Sequence, residues 1–307
     1  MSYSNKDEQA IDLKELFSVV WGDKKLITFI SILAACISLT VSLSLQNIYT
    51  SNALLASSES EDSIGSKLDG FSGFAGFAGV SIPSSPSSKS DEAIARIQSY
   101  DFFIDKVLPN IKLENLMAEV SWDSEKNIIT YDTKKFNIAQ NKWIRNMKFP
   151  EPSKQEAYLE YKKILSISED KKTKFVTLSI EHISPYVAKK WVELIVTYIN
   201  SYMAELDRNL AEGSINYLKE FSVTTDLSQI KDTASILLED QIQTLMLVQA
   251  NDDYIFKYIQ SPIAPEKKSR PGRALICILG TIFGGLFGIL ISLLNYYRKL
   301  WLNKFLF

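Results

Sequence analysis

Two stretches of the chain carry no charged side chain. Leu26–Leu45 reads LITFISILAACISLTVSLSL, and Ala274–Tyr297 reads ALICILGTIFGGLFGILISLLNYY. A bilayer core needs about 20 apolar residues in a helix, and both stretches supply them. A buried core helix of that length would show a polar face, which neither has. Both are therefore expected to span a membrane. The segments outside them are residues 1–25 and 298–307, and 46–273 lies between. A cleaved signal peptide is the weaker account of the first stretch, because some 25 residues precede it and no clean small-residue cleavage site follows.

Other patterns are shorter. In Ile11–Trp21 the apolar positions recur at three and four, which predicts a short amphipathic helix along the membrane surface with Trp21 at the interface. Ile48–Ala56 predicts a strand. Gly70–Gly79 repeats Gly-Phe-small three times, and Ile82–Ser90, rich in serine and proline, predicts a flexible loop. Ala93, Ile97, Phe103 and Val107 predict helix over 91–111. Ile128–Tyr131 and the alternating Lys174–His182 predict strands, the second half-buried.

Ser184-Pro185 then starts a helix, with serine as the cap and proline at the first position. Val187, Trp191, Leu194, Tyr198, Tyr202 and Leu206 form a stripe that carries it to about Phe221, roughly 55 Å at 1.5 Å per residue. A break is expected at 222–225. Asp226 with Gln229 resembles a capping box, and Leu227, Ile230, Ala234, Leu237, Ile242, Leu245 and Val248 continue a second stripe. Two long stripes joined by a short link predict an antiparallel helical hairpin over about 185–250. Tyr254–Ile259 predicts a last strand. The fold class is therefore α+β: two transmembrane helices flank an α/β base domain from which the hairpin projects. The strands next to the two spans are expected to pair near the membrane.

Charge sets the orientation. Lys24 and Lys25 precede the first span, and Arg298, Lys299 and Lys304 follow the second, so both termini are expected in the cytoplasm and 46–273 outside it. Lys267, Lys268, Arg270 and Arg273 crowd the opposite end of the second span, but long loops translocate largely regardless of charge. A formal net charge of −2 gives no support for nucleic-acid binding.

Chemistry is sparse. The only histidine, His182, ends a strand with no marked nucleophile or metal partner, so a structural role is expected. Cys36 and Cys277 both lie in the spans and read as small apolar residues. Among the carboxylates no pair is singled out for glycoside hydrolysis. The Gly-Phe repeat lacks the lysine of a phosphate loop. It reads as a closely packed glycine-rich segment anchored by phenylalanines, with an exposed apolar contact for a partner as the alternative. Gly280, Gly284 and Gly288 recur every fourth residue and share one helix face, which permits close approach of another helix. A two-span sensor would need a larger cytoplasmic domain than about 25 and 10 residues supply.

One combination is specific. Pro262-Ile-Ala-Pro265 is followed by Arg270-Pro271-Gly272 and, eleven residues later, by Gly284-xxx-Gly288. This resembles the proline-rich signature of the Wzz chain-length determinants, the polysaccharide co-polymerases. Arg270 and Gly272 stand where the family has serine and lysine, with Ser269 and Arg273 one residue to either side. Ile11-Asp12-Leu13 with Trp21 and Lys24, Tyr49-Thr50 with Ala53-Leu54-Leu55, and Leu178–His182 are similar to further family segments.

The resemblance implies a bacterial inner-membrane protein with a periplasmic main domain. It would be a non-catalytic regulator of polysaccharide chain length, with O-antigen of lipopolysaccharide as the product. It implies a homo-oligomer that works with a Wzy-type polymerase on lipid-linked polysaccharide, with no cofactor, metal or catalytic residue. With about ten residues after the second span, the form without a tyrosine-kinase domain is expected. An adaptor for capsule or exopolysaccharide assembly and export is the alternative.

Overall fold

The computed structural model describes residues 13–58, 88–224 and 228–305. It divides into two compact units. One is drawn from the two ends of the chain, through Asn47 and from Ser269 onward, and the other spans Ile48–Lys268.

The first unit is helical. Helix α1 (Leu13–Gly22) is separated by Asp23 from α2 (Lys24–Ser44). The last helix of the chain, Arg273–Phe305, does not stop at Tyr297. Arg298 and Lys299 are good helix formers and no glycine or proline intervenes, so the helix continues through the expected tail.

The second unit is built on a four-stranded antiparallel sheet. Its strands are β1 (Tyr49–Ser57), β6 (Leu165–Glu169), β7 (Val176–His182) and β8 (Phe256–Gln260), in the order β6-β7-β1-β8. Two small hairpins supply the others: β2 (Glu119–Asp123) with β3 (Ile128–Tyr131), and β4 (Phe136–Asn137) with β5 (Lys142–Trp143). The strands next to the two apolar stretches do pair: Leu54 opposes Gln260 and Ser57 opposes Phe256, with a register shift between Leu54 and Leu55. On the other side of β1, Tyr49 opposes His182 and Leu55 opposes Val176. Alternation then turns Val176, Leu178, Ile180 and His182 of β7 inward together with Ala53 and Leu55 of β1.

The longer helices described in the unit are α3 (Lys89–Ile97), α4 (Lys154–Ile164), α5 (Pro185–Thr224) and α6 (Ser228–Ala250), with a single turn of helix at Leu113–Met117. The final helix, Arg273–Phe305, is α7. At 40 residues α5 is about 60 Å long. Its N-terminal half lies on the sheet. The buried line is Ala188, Val192, Ile195, Ile199 and Met203. Val187, Leu194, Tyr198, Tyr202 and Leu206, expected to form the core stripe, flank that line and are only partly buried. Trp191 belongs to both. The far half of α5 pairs with α6 through Ala211, Ile215, Ala234 and Val248.

The helix expected over 91–111 is interrupted. After α3, Ser99 caps a new turn by accepting the Phe102 N–H, a π-helical turn follows at Phe103–Val107, and a 3-10 turn at Leu108–Asn110 contains Pro109. The serine hydroxyl competes for backbone donors, and the proline cannot continue the ladder. Asp226, the Gly-Phe repeat and the loop residues 82–87 lie outside the described residues. Ser88 caps α3 with a capping box to Asp91, so the helix begins inside the expected loop.

Candidate functional site

Two places concentrate the features that sequence singled out: the helix pair α2–α7, and the end of the sheet where β1 begins and β7 ends.

In the helix pair, the three glycines of α7 lie against α2. A methyl added at Gly280 would sit 2.5 Å from Ser38 Cβ. One at Gly284 would be closer still to Ala34 Cβ, and one at Gly288 would lie 3.1 Å from Ile27 Cα. Real Cβ atoms essentially never come within 3.0 Å of another heavy atom. The partners descend along α2 as the glycines ascend along α7, so the helices are antiparallel. Ile27, Ser31, Ala34 and Ser38 share one face of α2, and the two serine hydroxyls donate to the Ile27 and Ala35 carbonyls of their own helix. Small residues on both sides therefore bring two backbones together with these two hydroxyls paired, while Ser42 Oγ, one turn further along α2, is buried without a partner. The partner of the glycine face, which spacing alone did not identify, is the chain's own first apolar helix.

Polar contacts bracket this stripe. Near one end the fully buried Ser292 donates to Asp23 Oδ2 at 2.7 Å. Near the other, Arg273 Nη2 donates to Asn47 Oδ1 at 3.2 Å. The remaining faces are apolar and uncovered, among them Phe29, Ile32, Ile37, Ile282, Phe283 and Phe287. Only 6% of the most apolar window of α2 and 11% of that of α7 are buried, so neither is the core helix of a soluble protein. Cys36 and Cys277 are unpaired.

The proline-rich segment before α7 is ordered by side-chain contacts rather than by regular structure. Pro262 is buried, and the neighbouring Ile263 carbonyl accepts from Ser51 Oγ of β1 at 2.8 Å. Pro265 and Pro271 are partly exposed and Arg270 is exposed. The Arg270–Pro271 peptide bond is cis. Pro262 and Pro265 belong to the sheet unit, whereas Arg270 and Pro271 belong with the helix pair.

At the sheet end, His182 is buried against Trp191, ring centroids 5.2 Å apart. Ser184 N–H donates to Nδ1 at 2.9 Å, so Nε2 carries the proton and donates to the Asn115 carbonyl at 2.8 Å. Burial pushes the imidazole down to about 4, against the two backbone hydrogen bonds. Every hydrogen-bonding site of the ring is thus used in holding β7, the turn at Leu113–Met117 and the start of α5 together. Nearby, burial pushes the Glu119 carboxyl up to about 7. Among the described residues no group of His, Cys, Asp and Glu is placed to hold a metal ion.

A pH dependence follows. Unfolded His182 takes up a proton near pH 6.5, folded His182 only near 4. The stability it supplies is complete above the unfolded value and is lost as pH falls from about 6.5 toward 4, by about 3 kcal/mol at most. Glu119 has the opposite sign: its contribution is present below about 4.5 and is lost as pH rises through 7. Denaturation of the Glu119→Gln variant between pH 7 and 4.5 should therefore show the histidine slope alone. Adding His182→Gln should flatten it.

The residue that sequence did not mark is Asn200, buried in the middle of α5. Its Oδ1 accepts the Ile255 and Phe256 N–H groups at 3.1 and 2.8 Å, and its Nδ2 donates to the Phe256 carbonyl at 2.8 Å. It clamps the start of β8 to the long helix. Two turns further along, Asp207 pairs with Lys89 of α3 at 2.7 Å and accepts from the Tyr254 hydroxyl.

Together these features define a membrane protein with two apolar helices and an α+β domain inserted in the sequence between them. Residues 9–106, about a third of the chain, match the family model described as "Wzz: Chain length determinant protein". No curated protein matches the sequence. Among solved structures, a full-length bacterial polysaccharide co-polymerase is similar at 12% identity over 94% of this chain and 98% of its own, with a TM-score of 0.41. A fragment of WzzB, a polysaccharide co-polymerase from Salmonella Typhimurium, is similar at 15% identity over 73% of this chain and 100% of its own, with a TM-score of 0.29. With both scores under 0.5, the fold stands on the strand order and helix packing above.

Proposed function

We propose that this chain is a non-catalytic regulator of polysaccharide chain length, acting as an oligomeric scaffold with a Wzy-type polymerase on lipid-linked O-antigen. The family match over residues 9–106 carries the proposal. In it α2 and α7 cross the bacterial inner membrane, with both termini cytoplasmic and residues 46–273 periplasmic. The lysines at the start of α2 support that orientation.

The homo-oligomer has support in the helical hairpin. Leu210, Tyr217, Val223, Ile236 and Met246 are each more than 60% exposed on α5 and α6, too many large apolar groups for a surface that stays in water. A neighbouring copy would cover them. In this proposal the proline segment and the glycine stripe, comprising Pro262, Pro265, Arg270, Pro271, Gly280, Gly284 and Gly288, set the joint between domain and spans.

Deletion of the gene tests the proposal. The glycan ladder on a gel should lose its modal length, and an unchanged ladder in a strain that makes the polymer would overturn the proposal. A change confined to capsule or exopolysaccharide would move the function to the adaptor alternative.

A further inference from the structure

The segment 134–154, which carries β4 and β5, is strongly basic. It holds Lys134, Lys135, Lys142, Arg145, Lys148 and Lys154 against the single acid Glu151. Arg145 is consumed internally, donating to Glu156 and to the Pro150 carbonyl. Lys135 reaches the Met117 carbonyl. The other four lysines are exposed. Interspersed with them are Phe149 at 72% exposure, Ile138 at 58%, Met147 at 57% and Ile144 at 43%. Four large apolar side chains exposed within twelve residues, ringed by lysines, form an amphipathic surface that no other described residue covers.

Its place in the fold says what does. A chain of contacts leads to it from the first residue of β1. Tyr49 opposes His182 in the ladder. His182 bonds to the Asn115 carbonyl, and Asn115 Oδ1 accepts the Tyr131 hydroxyl. The Tyr131 ring packs on Phe136 at 5.9 Å, and Phe136 on Trp143 at 5.1 Å. Ile144 N–H then closes the hairpin onto the Lys135 carbonyl. The segment therefore sits at the end of the sheet where the chain enters from α2. Helix α2 ends at Ser44, and five residues reach at most about 18 Å to Tyr49. After β8 the chain returns toward the same end, since Ile263 bonds to Ser51. Among the described residues, the turn at the other end of the sheet, which contains Lys171, carries no exposed large apolar side chain.

We propose that residues 134–154 dock onto the surface of the lipid bilayer beside the spans, with Phe149, Met147, Ile144 and Ile138 in the headgroup region and the lysines on anionic lipid phosphates. Lysine-ringed apolar groups bind such interfaces by burying the apolar atoms while the charges meet the negative surface. The segment has little regular hydrogen bonding, so it can adjust to that surface. The consequence is a second membrane contact that holds the base of the domain down independently of the helices. It rests on α2 and α7 being spans.

The test uses the full chain in nanodiscs of phosphatidylethanolamine and phosphatidylglycerol. In a Cys36→Ser, Cys277→Ser background, single cysteines at Phe149, Ile138, Lys171 and Ile282 carry a nitroxide label. Accessibility to oxygen and to a water-soluble nickel chelate is then compared. Expected is a several-fold lower nickel accessibility at 149 and 138 than at 171, with oxygen accessibility retained. Replacing Lys134, Lys142, Lys148 and Lys154 with glutamate should raise the nickel value at 149 toward that at 171. Equal nickel values at 149 and 171 overturn the proposal. So does low accessibility to both reagents, which would mean cover by protein, whether a second copy or another partner. A label at 282 that behaves as aqueous would instead show that the spans themselves are misassigned.

Discussion

Gly284→Leu is expected to separate α2 from α7 and, under the function proposed above, to abolish regulation of chain length. The mildest change, Gly284→Ala, already places a methyl against Ala34 Cβ at a distance real side chains never adopt. Backbone flanks it on α2 in Ser31 and Ile30, so it cannot be absorbed by one flexible side chain. Overpacking of a tight contact costs about 1–3 kcal/mol for a few added atoms, and leucine adds more than alanine. Removing the facing methyl should compensate: Ala34→Gly combined with Gly284→Ala should recover most of the loss. Thermal stability of the detergent-purified protein and the glycan ladder are the two readouts. Failure of Ala34→Gly to rescue would mean that Gly284 matters for a surface other than α2. Gly285, next in sequence, has only Ser31 Oγ at 3.4 Å and serves as the tolerant control.

Asn200→Leu is expected to be the most destabilising substitution in the domain. It is nearly isosteric, so it opens no large cavity. It strands two backbone N–H groups and one carbonyl at the start of β8, all buried. Each buried group left unpaired costs about 1–3 kcal/mol, so about 3–5 kcal/mol in sum is a moderate expectation. Asn200→Asp keeps the acceptor for both N–H groups and loses only the donor, so it should fall between wild type and leucine. Denaturant midpoints rank the three. Equal midpoints for leucine and aspartate would show that packing, not hydrogen bonding, decides this position.

Why Asn200 escaped the sequence while Gly284 did not is a matter of where the partner lies. The glycines announce themselves through spacing on one helix, and small size is informative whatever the neighbour turns out to be. What spacing could not say is that the neighbour is α2 of the same chain. Asn200 is one polar residue in a long amphipathic helix, and its partners are backbone groups more than fifty residues away at Ile255 and Phe256. No local pattern encodes that.

The same contrast runs through the fold. Strand β7 was legible because its residues alternate, and β1 because Tyr49, Thr50 and two leucines favour a strand. The two apolar helices were legible from length alone. Helix α4 was missed although Ser153 and Glu156 form a capping box, a signal readable from the sequence. Strand β6 was missed because Leu165-Ser-Ile-Ser-Glu is too short to stand out until β7 pairs with it. The helix expected over 91–111 failed because apolar spacing survives across a break. Phe102, Phe103 and Val107 are buried as expected, but Ser99 and a π-turn bring them there.

The antiparallel pairing of β1 with β8 has a mechanical meaning. The chain enters the domain on one of these strands and leaves on its neighbour, toward the same end of the sheet. Tension applied at those two ends loads the ladder as a zipper, one bond at a time: Ser51 to Ile263 first, then the pairs from Leu54–Gln260 to Ser57–Phe256. A zipper yields at far lower force than strands sheared along their length. The domain is therefore weak against any pull that spreads its two ends, and behind the last rung stands the Asn200 clamp on Ile255 and Phe256.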